Sequence, residues 1–202
     1  MKIFIDFDDV LFNTKKFISE YFKIFRKHGI SEEIFRRYYY NEKQTKNRLR
    51  EYNFNKHIKR IGLNLNIDIK NLESDINKFL FNTQKFIFND VKKTLKKFQN
   101  YDLYILSYGD KKFQNLKIKN SGIVDYFKKI IISQRDKSSF LKEKTFYFLD
   151  DRVAHLKIIK KLYPLAITIL VKRKEGRYDN KKNNYCDFDV KNLLEVEKII
   201  ND

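Results

Sequence analysis

Three short apolar runs in this chain are each followed at once by acidic or hydroxyl side chains. Residues 3–5 precede Asp6-Phe7-Asp8-Asp9, residues 103–106 precede Ser107-Tyr108-Gly109-Asp110, and residues 146–149 precede Asp150-Asp151-Arg152. Helical patterns over 91–98 and 113–127 lie between the runs, and strands that alternate with helices predict a parallel sheet with crossover helices. Ligands of such sheets bind at the carboxyl ends of the strands. We therefore expect these polar side chains to gather at one edge of the sheet.

The remaining apolar segments complete the predicted sheet. Residues 130–132 and 166–171 supply two more strands, and residues 190–200 have the spacing of a closing amphipathic helix. A sheet of about five strands results, which is near the usual number. The predicted fold class is therefore α/β, with a Rossmann-like parallel sheet at the centre of a three-layer α/β/α core.

A long segment between the first two polar clusters has a helical pattern of its own. About 70 residues separate Asn13 from the helix that begins near Asp90, which is too many for a loop. Apolar side chains recur at helical spacing from Phe17 to Phe25, Gly29 follows as a stop, and the acids after Ser31 favour a second helix start. Further helices are predicted over 45–61 and 69–86. We expect residues 1–14 and 88–202 to form the core and residues 15–87 to form an α-helical insertion.

The composition limits the classes of partner and of metal site. The formal net charge of +18 is spread along the chain, which suits anionic substrates and nucleic acid equally. The single cysteine, Cys186, excludes an internal disulfide and leaves carboxylates as the expected metal ligands. The apolar stretch 165–171 is too short to span a bilayer, and the N-terminus lacks a signal-peptide layout. We therefore expect a soluble cytoplasmic protein, monomeric or homodimeric, with no membrane partner.

The polar clusters resemble the motifs of a known family. Residues 6–11, with the sequence Asp-Phe-Asp-Asp-Val-Leu, resemble the opening signature of phosphatases of the haloacid dehalogenase superfamily, Ser107 resembles the second motif and Asp150-Asp151 the fourth. The third motif is a lysine, for which Lys137 is the best match and Lys142 and Lys144 stay open as alternatives. The resemblance covers roughly residues 1–14 and 88–175, and it implies that the insertion is a cap over the active site.

The resemblance implies a role for each motif residue. Asp6 is the expected nucleophile, which forms an aspartyl-phosphate, and Asp8 is the expected general acid and base. The expected Mg²⁺ site uses Asp6, the backbone carbonyl of Asp8 and Asp150, with Asp151 acting through water or orienting the ligands.

The second and third motifs imply contacts to the substrate. Ser107 and Lys137 are expected to stabilise the transferring phosphoryl group. Asp9, Tyr108 and Gly109 are expected to contact the substrate. Asp9 departs from the family pattern, in which glycine often takes this place.

The predicted activity is Mg²⁺-dependent hydrolysis of a small phosphorylated metabolite. The alternatives are a nucleotide or nucleic-acid end phosphatase, favoured by the basic and tyrosine-rich residues 36–40, and a non-catalytic basic binding module. A phosphomutase also stays open, whereas a dehalogenase is disfavoured because carbon–halogen chemistry does not need the acid that Asp8 supplies. The three histidines, His28, His57 and His155, lack metal-ligand spacing and are predicted to be surface or packing residues.

Overall fold

A parallel sheet of six strands forms the centre of the part of the chain that the structure describes. This structure is a computed structural model that describes residues 1–39, 52–65, 67–177 and 185–201. Every strand pairs in parallel, in the spatial order β3-β2-β1-β4-β5-β6. The strands are β1 (Lys2–Ile5), β2 (Asp102–Tyr108), β3 (Lys129–Ser133), β4 (Tyr147–Asp150), β5 (Ile167–Val171) and β6 (Phe188–Val190). The prediction of an α/β parallel sheet is confirmed, with one strand more than expected.

Strand β1 occupies the middle of the sheet and brings the polar clusters together. Ile5 pairs with Ile105 of β2 on one side and with Leu149 of β4 on the other. The chain moves outward from β1 through β2 to β3 and then returns to the other side of β1 as β4. Because the direction of strand order reverses at β1, a crevice opens there at the carboxyl ends of the strands.

Helices cover both faces of the sheet, as a three-layer fold requires. One face packs against α5 (Val91–Lys97), α6 (Lys111–Lys119) and α8 (Leu193–Asn201), and the other against α7 (Val153–Leu162). The prediction of one helix over 113–127 is wrong, because α6 ends at Lys119 and only a short 3-10 helix, Val124–Tyr126, follows. Gly122 lies between them with φ of +68°, a left-handed conformation that stops a helix and favours glycine.

Four helices occupy the described part of the predicted insertion. They are α1 (Thr14–Lys27), α2 (Glu32–Tyr39), α3 (Phe54–Asn64) and α4 (Ile69–Leu80), and a 3-10 helix, Gln84–Phe86, follows. The side chains of Asn13, Asn53 and Asp68 accept a hydrogen bond from a backbone N–H in the first turn of α1, α3 and α4. Gly29 has φ of +75° after α1, as its predicted stop role requires. Residues 45–51 of the helix predicted over 45–61 lie outside the described residues.

The insertion and the sheet share one apolar core within the described ranges. Buried side chains of α1 to α4, the sheet and helices α5, α6 and α8 form one contiguous cluster, in which aromatic rings of the insertion contact α6. The boundary of the insertion at residues 15–87 stays a prediction. No helix among the described residues is long and apolar enough to cross a membrane.

Candidate active site

Three buried carboxylates meet in the crevice between β1 and β4. Asp6 follows the last residue of β1, Asp150 ends β4, and Asp151 comes next in the chain. One oxygen from each of these side chains lies within 4.8 Å of the other two. The side chains come together because β1 and β4 are neighbours whose carboxyl ends are level.

A buried lysine lies against two of these carboxylates. The Nζ of Lys137 is 2.9 Å from Oδ1 of Asp6 and 2.7 Å from Oδ2 of Asp150. Lys137 begins the short 3-10 helix that follows β3, Lys137–Phe140, and only 3% of it is exposed. The other two candidate lysines for the third motif, Lys142 and Lys144, are exposed. The geometry therefore favours Lys137 among the three.

The three carboxylates carry more negative charge than Lys137 alone can neutralise. Burial raises the pKa of Asp6 to about 6, although Lys137 pulls it down. Burial and the charges of Asp150 and Asp6 raise the pKa of Asp151 well above its ordinary value. Desolvation also opposes ionisation of Asp150, but Lys137 and His155 hold the pKa of this carboxyl below its usual range. A set of hard oxygen donors with this excess of negative charge suits a divalent cation.

The two residues of the fourth motif have different surroundings. Asp150 accepts hydrogen bonds from Lys137, from the backbone N–H of Arg152 at 2.9 Å and from Nδ1 of His155 at 2.9 Å. Asp6 and Asp151 line a cavity of about 120 Å³, whereas Asp150 lies behind it. Of the three clustered carboxylates, those of Asp6 and Asp151 thus face the cavity.

Asp8 lies in a separate network on the other side of the cavity. Its Oδ1 accepts hydrogen bonds from the hydroxyl of Thr14 at 2.7 Å and from Nζ of Lys117 at 2.6 Å, and its Oδ2 accepts one from Nε2 of Gln114 at 2.7 Å. Desolvation opposes ionisation, but Lys117 and Arg177 hold the pKa of Asp8 below its usual range. The Asp8 side chain is thus directed to other donors than the carboxylate cluster around Asp6.

The second-motif residues divide between the cavity wall and the layer behind it. Ser107 is buried behind the wall, and its Oγ accepts a hydrogen bond from Gln114 at 2.8 Å. Tyr108 and Gly109, predicted as substrate contacts, line the cavity.

Asp9, also predicted as a substrate contact, lies elsewhere. It is fully buried, forms an ion pair with Arg177 and is not part of the cavity wall. Its φ of +59° is the left-handed conformation that favours glycine and that aspartate tolerates better than most residues. Aspartate can therefore stand at this position, where the family often has glycine.

Several functional candidates were not found from the sequence. His155, which the sequence predicts to be a surface or packing residue, is buried, lines the cavity and contacts Asp150. Gln114 and Lys117 follow Phe113 at positions that place all three on the buried face of α6. This spacing is the sequence signal for these residues, but it is not specific in a chain with 44 Lys+Arg residues.

The far end of the cavity is aromatic. The side chains that contribute to this end come from the insertion and from α6, and they are Phe17, Ile18, Tyr39, Tyr52 and Phe113. The rings of Tyr39 and Tyr52 stack with centroids 4.2 Å apart, and Phe113 meets Tyr52 edge-on at 4.9 Å. The cavity therefore joins a charged end on the sheet to an apolar end on the insertion.

Comparisons with known proteins agree with the motifs and the sheet. A family model described as haloacid dehalogenase-like hydrolase matches residues 3–141. The chain belongs to this family of hydrolases. None of the proteins with curated descriptions matches it in sequence.

Solved structures of similar fold span almost the whole chain. A haloacid dehalogenase-like hydrolase from Burkholderia xenovorans LB400 has a TM-score of 0.75 and 15% identity, over 98% of this chain and 95% of that one. The HAD-hydrolase YfnB from Bacillus subtilis, solved with magnesium bound, has a TM-score of 0.67 and 15% identity, over 100% and 98%. The L-2-haloacid dehalogenase from Xanthobacter autotrophicus has a TM-score of 0.60 and 12% identity, over 99% and 98%. At these identities the likeness shows the fold alone.

Proposed function

We propose that this protein is a Mg²⁺-dependent phosphomonoester hydrolase that acts on a small phosphorylated metabolite through an aspartyl-phosphate on Asp6. The observation that carries the proposal is the arrangement of two acids at one cavity. Asp6 belongs to a buried carboxylate cluster, while Asp8, two residues later, faces the same cavity from a separate network. Phosphoryl transfer needs both a nucleophile beside positive charge and a second group for proton transfer.

The residues present fit a hard divalent cation. The carboxylates of Asp6 and Asp151 would hold it from the cavity wall, and the backbone carbonyl of Asp8 is the further proposed ligand. Asp150, the direct ligand expected from the sequence, supplies the third carboxylate of the cluster, and its oxygens also accept hydrogen bonds from Lys137 and His155. Bound Mg²⁺ supplies neutralising charge for the phosphoryl oxygens.

The side chains of the chain divide the remaining work. A carboxylate oxygen of Asp6 attacks phosphorus in line with the leaving oxygen, and the P–O bond to that oxygen breaks as the acyl phosphate on Asp6 forms. Asp8, which is ion-paired with Lys117, takes a proton from the water that hydrolyses the aspartyl-phosphate and gives that proton to the leaving oxygen of the next turnover. Lys137 keeps Asp6 ionised next to Asp150 and adds positive charge near the transferring group.

The size and lining of the cavity support a small substrate. A volume of about 120 Å³ corresponds to roughly four water molecules at about 30 Å³ each, which is enough for a phosphate and little more. The aromatic end formed by Tyr39, Tyr52 and Phe113 would receive the organic part of the leaving group. We therefore favour a small metabolite over a nucleic-acid end as the substrate.

Carbon–halogen hydrolysis is the second candidate, because L-2-haloacid dehalogenases are among the similar folds. The carboxylate cluster and Asp8 weigh against it, since displacement of a halide needs neither a divalent cation nor a proton donor. Phosphate-ester hydrolysis requires both the carboxylate cluster and Asp8.

The test is a substrate panel measured with and without Mg²⁺. It contains an aryl phosphate, small alkyl and sugar phosphates, nucleoside monophosphates, a 5′-phosphorylated oligonucleotide and 2-chloropropionate. We expect Mg²⁺-dependent phosphate release that Asp6→Asn abolishes and that Asp125→Asn, a change at an exposed acid, leaves intact. Chloride release from 2-chloropropionate, or no phosphate release from any ester, would overturn the proposal.

A further inference from the structure

Lys117 is a second buried lysine of the cavity wall, and its ammonium contacts Asp8, Gln114 and several aromatic rings. Only 3% of Lys117 is exposed. Its Nζ donates hydrogen bonds to Oδ1 of Asp8 at 2.6 Å and to Oε1 of Gln114 at 2.8 Å. The same ammonium lies 4.9–5.6 Å from the ring centroids of four phenylalanines, Phe7, Phe12, Phe17 and Phe113. These contacts hold the ammonium at one point in the wall.

Gln114 links this lysine to two of the predicted catalytic residues. Its Oε1 accepts from Lys117, so its Nε2 faces the opposite side, where it donates to Oδ2 of Asp8 and to Oγ of Ser107 at 2.8 Å. Because the amide oxygen must face the lysine, the orientation of the amide is determined. Both oxygens of Asp8 are therefore held by donors from one face of α6.

A contribution to the stability of the fold does not readily explain why a lysine is buried at position 117. Buried ion pairs are on average no more stable than apolar side chains of similar volume, and four surrounding rings would accommodate a methionine. A role in the reaction is a better explanation for a lysine at this place.

We propose that Lys117 and Gln114 are positioning residues that hold the Asp8 carboxylate toward the leaving-group end of the cavity and keep it out of the metal's coordination shell. The inference rests on the proposed phosphohydrolase function. Asp8 is two residues from Asp6, close enough for an unrestrained carboxylate to turn toward a divalent cation. The ammonium of Lys117 competes with the metal for the Asp8 carboxylate and leaves this carboxylate ionised and able to take up a proton.

The test combines turnover with metal affinity in a double-mutant cycle. Lys117→Met is made alone and with Asp8→Asn, and Lys119→Met, at an exposed lysine of the same helix, is the matched control. We expect Lys117→Met to lower kcat by about 10²-fold or more, the usual worth of a general acid–base group. We expect it to tighten Mg²⁺ binding, measured by calorimetry, by about tenfold as Asp8 joins the metal.

Both effects should disappear when Asp8 is absent. In the Asp8→Asn background, Lys117→Met should change neither kcat nor Mg²⁺ affinity, because Lys117 acts through Asp8. Additive losses in the two backgrounds, or an unchanged Mg²⁺ affinity, would overturn the proposal. If Lys117→Met does not fold, Lys117→Gln keeps a donor of similar length without the charge, and the same two measurements decide.

The metal measurement also separates this inference from the proposed function. If the wild type releases no phosphate from any ester, the proposed function fails. Tighter Mg²⁺ binding by Lys117→Met, lost again with Asp8→Asn, would still support the positioning role. Unchanged binding would refute the positioning role, whatever the activity of the wild type.

Discussion

Two of the buried polar networks among the described residues, one at the sheet edge and one inside the insertion, are built on opposite principles. At the sheet edge, Asp6, Asp150 and Asp151 crowd around Lys137 with more negative than positive charge. In the insertion the groups are neutral at pH 7, and a chain of hydrogen bonds runs from Tyr21 through Tyr52 and His57 to the carbonyl of Phe35, with distances of 2.8, 3.0 and 3.1 Å.

The direction of each bond in the insertion follows from its last acceptor. The Phe35 carbonyl can only accept, so Nε2 of His57 donates to it and Nδ1 accepts from the hydroxyl of Tyr52. The Tyr52 oxygen in turn accepts from the hydroxyl of Tyr21. This network is complete without a ligand, whereas the sheet-edge network needs further positive charge. This difference indicates that the sheet-edge network is a binding site and that the insertion network is a structural element.

The largest expected effect follows from removing the positive charge of Lys137 at the sheet edge. Lys137→Met leaves Asp6 and Asp150 buried without their common partner, so the free energy of unfolding at pH 7 should fall by about 3–5 kcal/mol in the absence of Mg²⁺. Added Mg²⁺ should restore part of this loss, and phosphatase turnover should fall by about 10³-fold. Denaturant unfolding with and without Mg²⁺ measures the first effect.

Lys142→Met is the matched control, because Lys142 is exposed and stays a formal alternative for the third motif. Its effect on stability should stay within about 0.5 kcal/mol. If Lys142→Met lost activity and Lys137→Met kept it, the third motif would have been misassigned and the sheet-edge network would not be catalytic.

The next effect tests the neutrality of the insertion network. Burial lowers the pKa of His57 to about 3, from an ordinary value of 6.5. Between these two pH values the unfolded chain binds a proton that the folded chain does not, so this residue's contribution makes the fold less stable as the pH falls below 6.5. Between pH 7 and pH 5 the loss should be about 2 kcal/mol.

Comparison with His57→Gln isolates this contribution from that of the carboxylates. Glutamine keeps a donor and an acceptor but does not titrate, so the stability difference between wild type and variant should shrink by about 2 kcal/mol on going from pH 7 to pH 5. Curves that run parallel over this range would mean that His57 is protonated in the fold, and the comparison of a charged with a neutral network would fail.

The two networks were not equally predictable from the sequence. Asp6 and Asp150 could be found because each directly follows an apolar run, and Asp8 and Asp151 stand one or two residues further on. Parallel pairing then brings Asp6, Asp150 and Asp151 together. This reasoning uses only neighbours in the chain and one rule of sheet topology. The same logic found five of the six strands in the described residues, while β6, with only three residues and a half-exposed pattern, gave no apolar run.

The missed residues depend on contacts across the fold. Lys117 and His155 became candidates only when helices α6 and α7 brought them to the cavity, and neither belongs to a motif. The tyrosine–histidine chain joins residues up to 36 positions apart, from Tyr21 to His57, and nothing local marks them as partners. Lysine and tyrosine are abundant in this chain, so a single lysine or tyrosine is hard to identify as functional from the sequence.

The smallest effect comes from one hydroxyl at the boundary between the two regions. Tyr52→Phe removes the donor to Nδ1 of His57 and the acceptor for Tyr21, so the unfolding free energy should fall by about 1 kcal/mol. Tyr126→Phe, at a partly exposed tyrosine, is the control. The ring of Tyr52 still lines the cavity in the variant, so kcat should change less than about twofold, since no transition-state contact is removed. A large loss of kcat with an unchanged unfolding free energy would mean that this hydroxyl serves the substrate, and the insertion network would then be part of the active site.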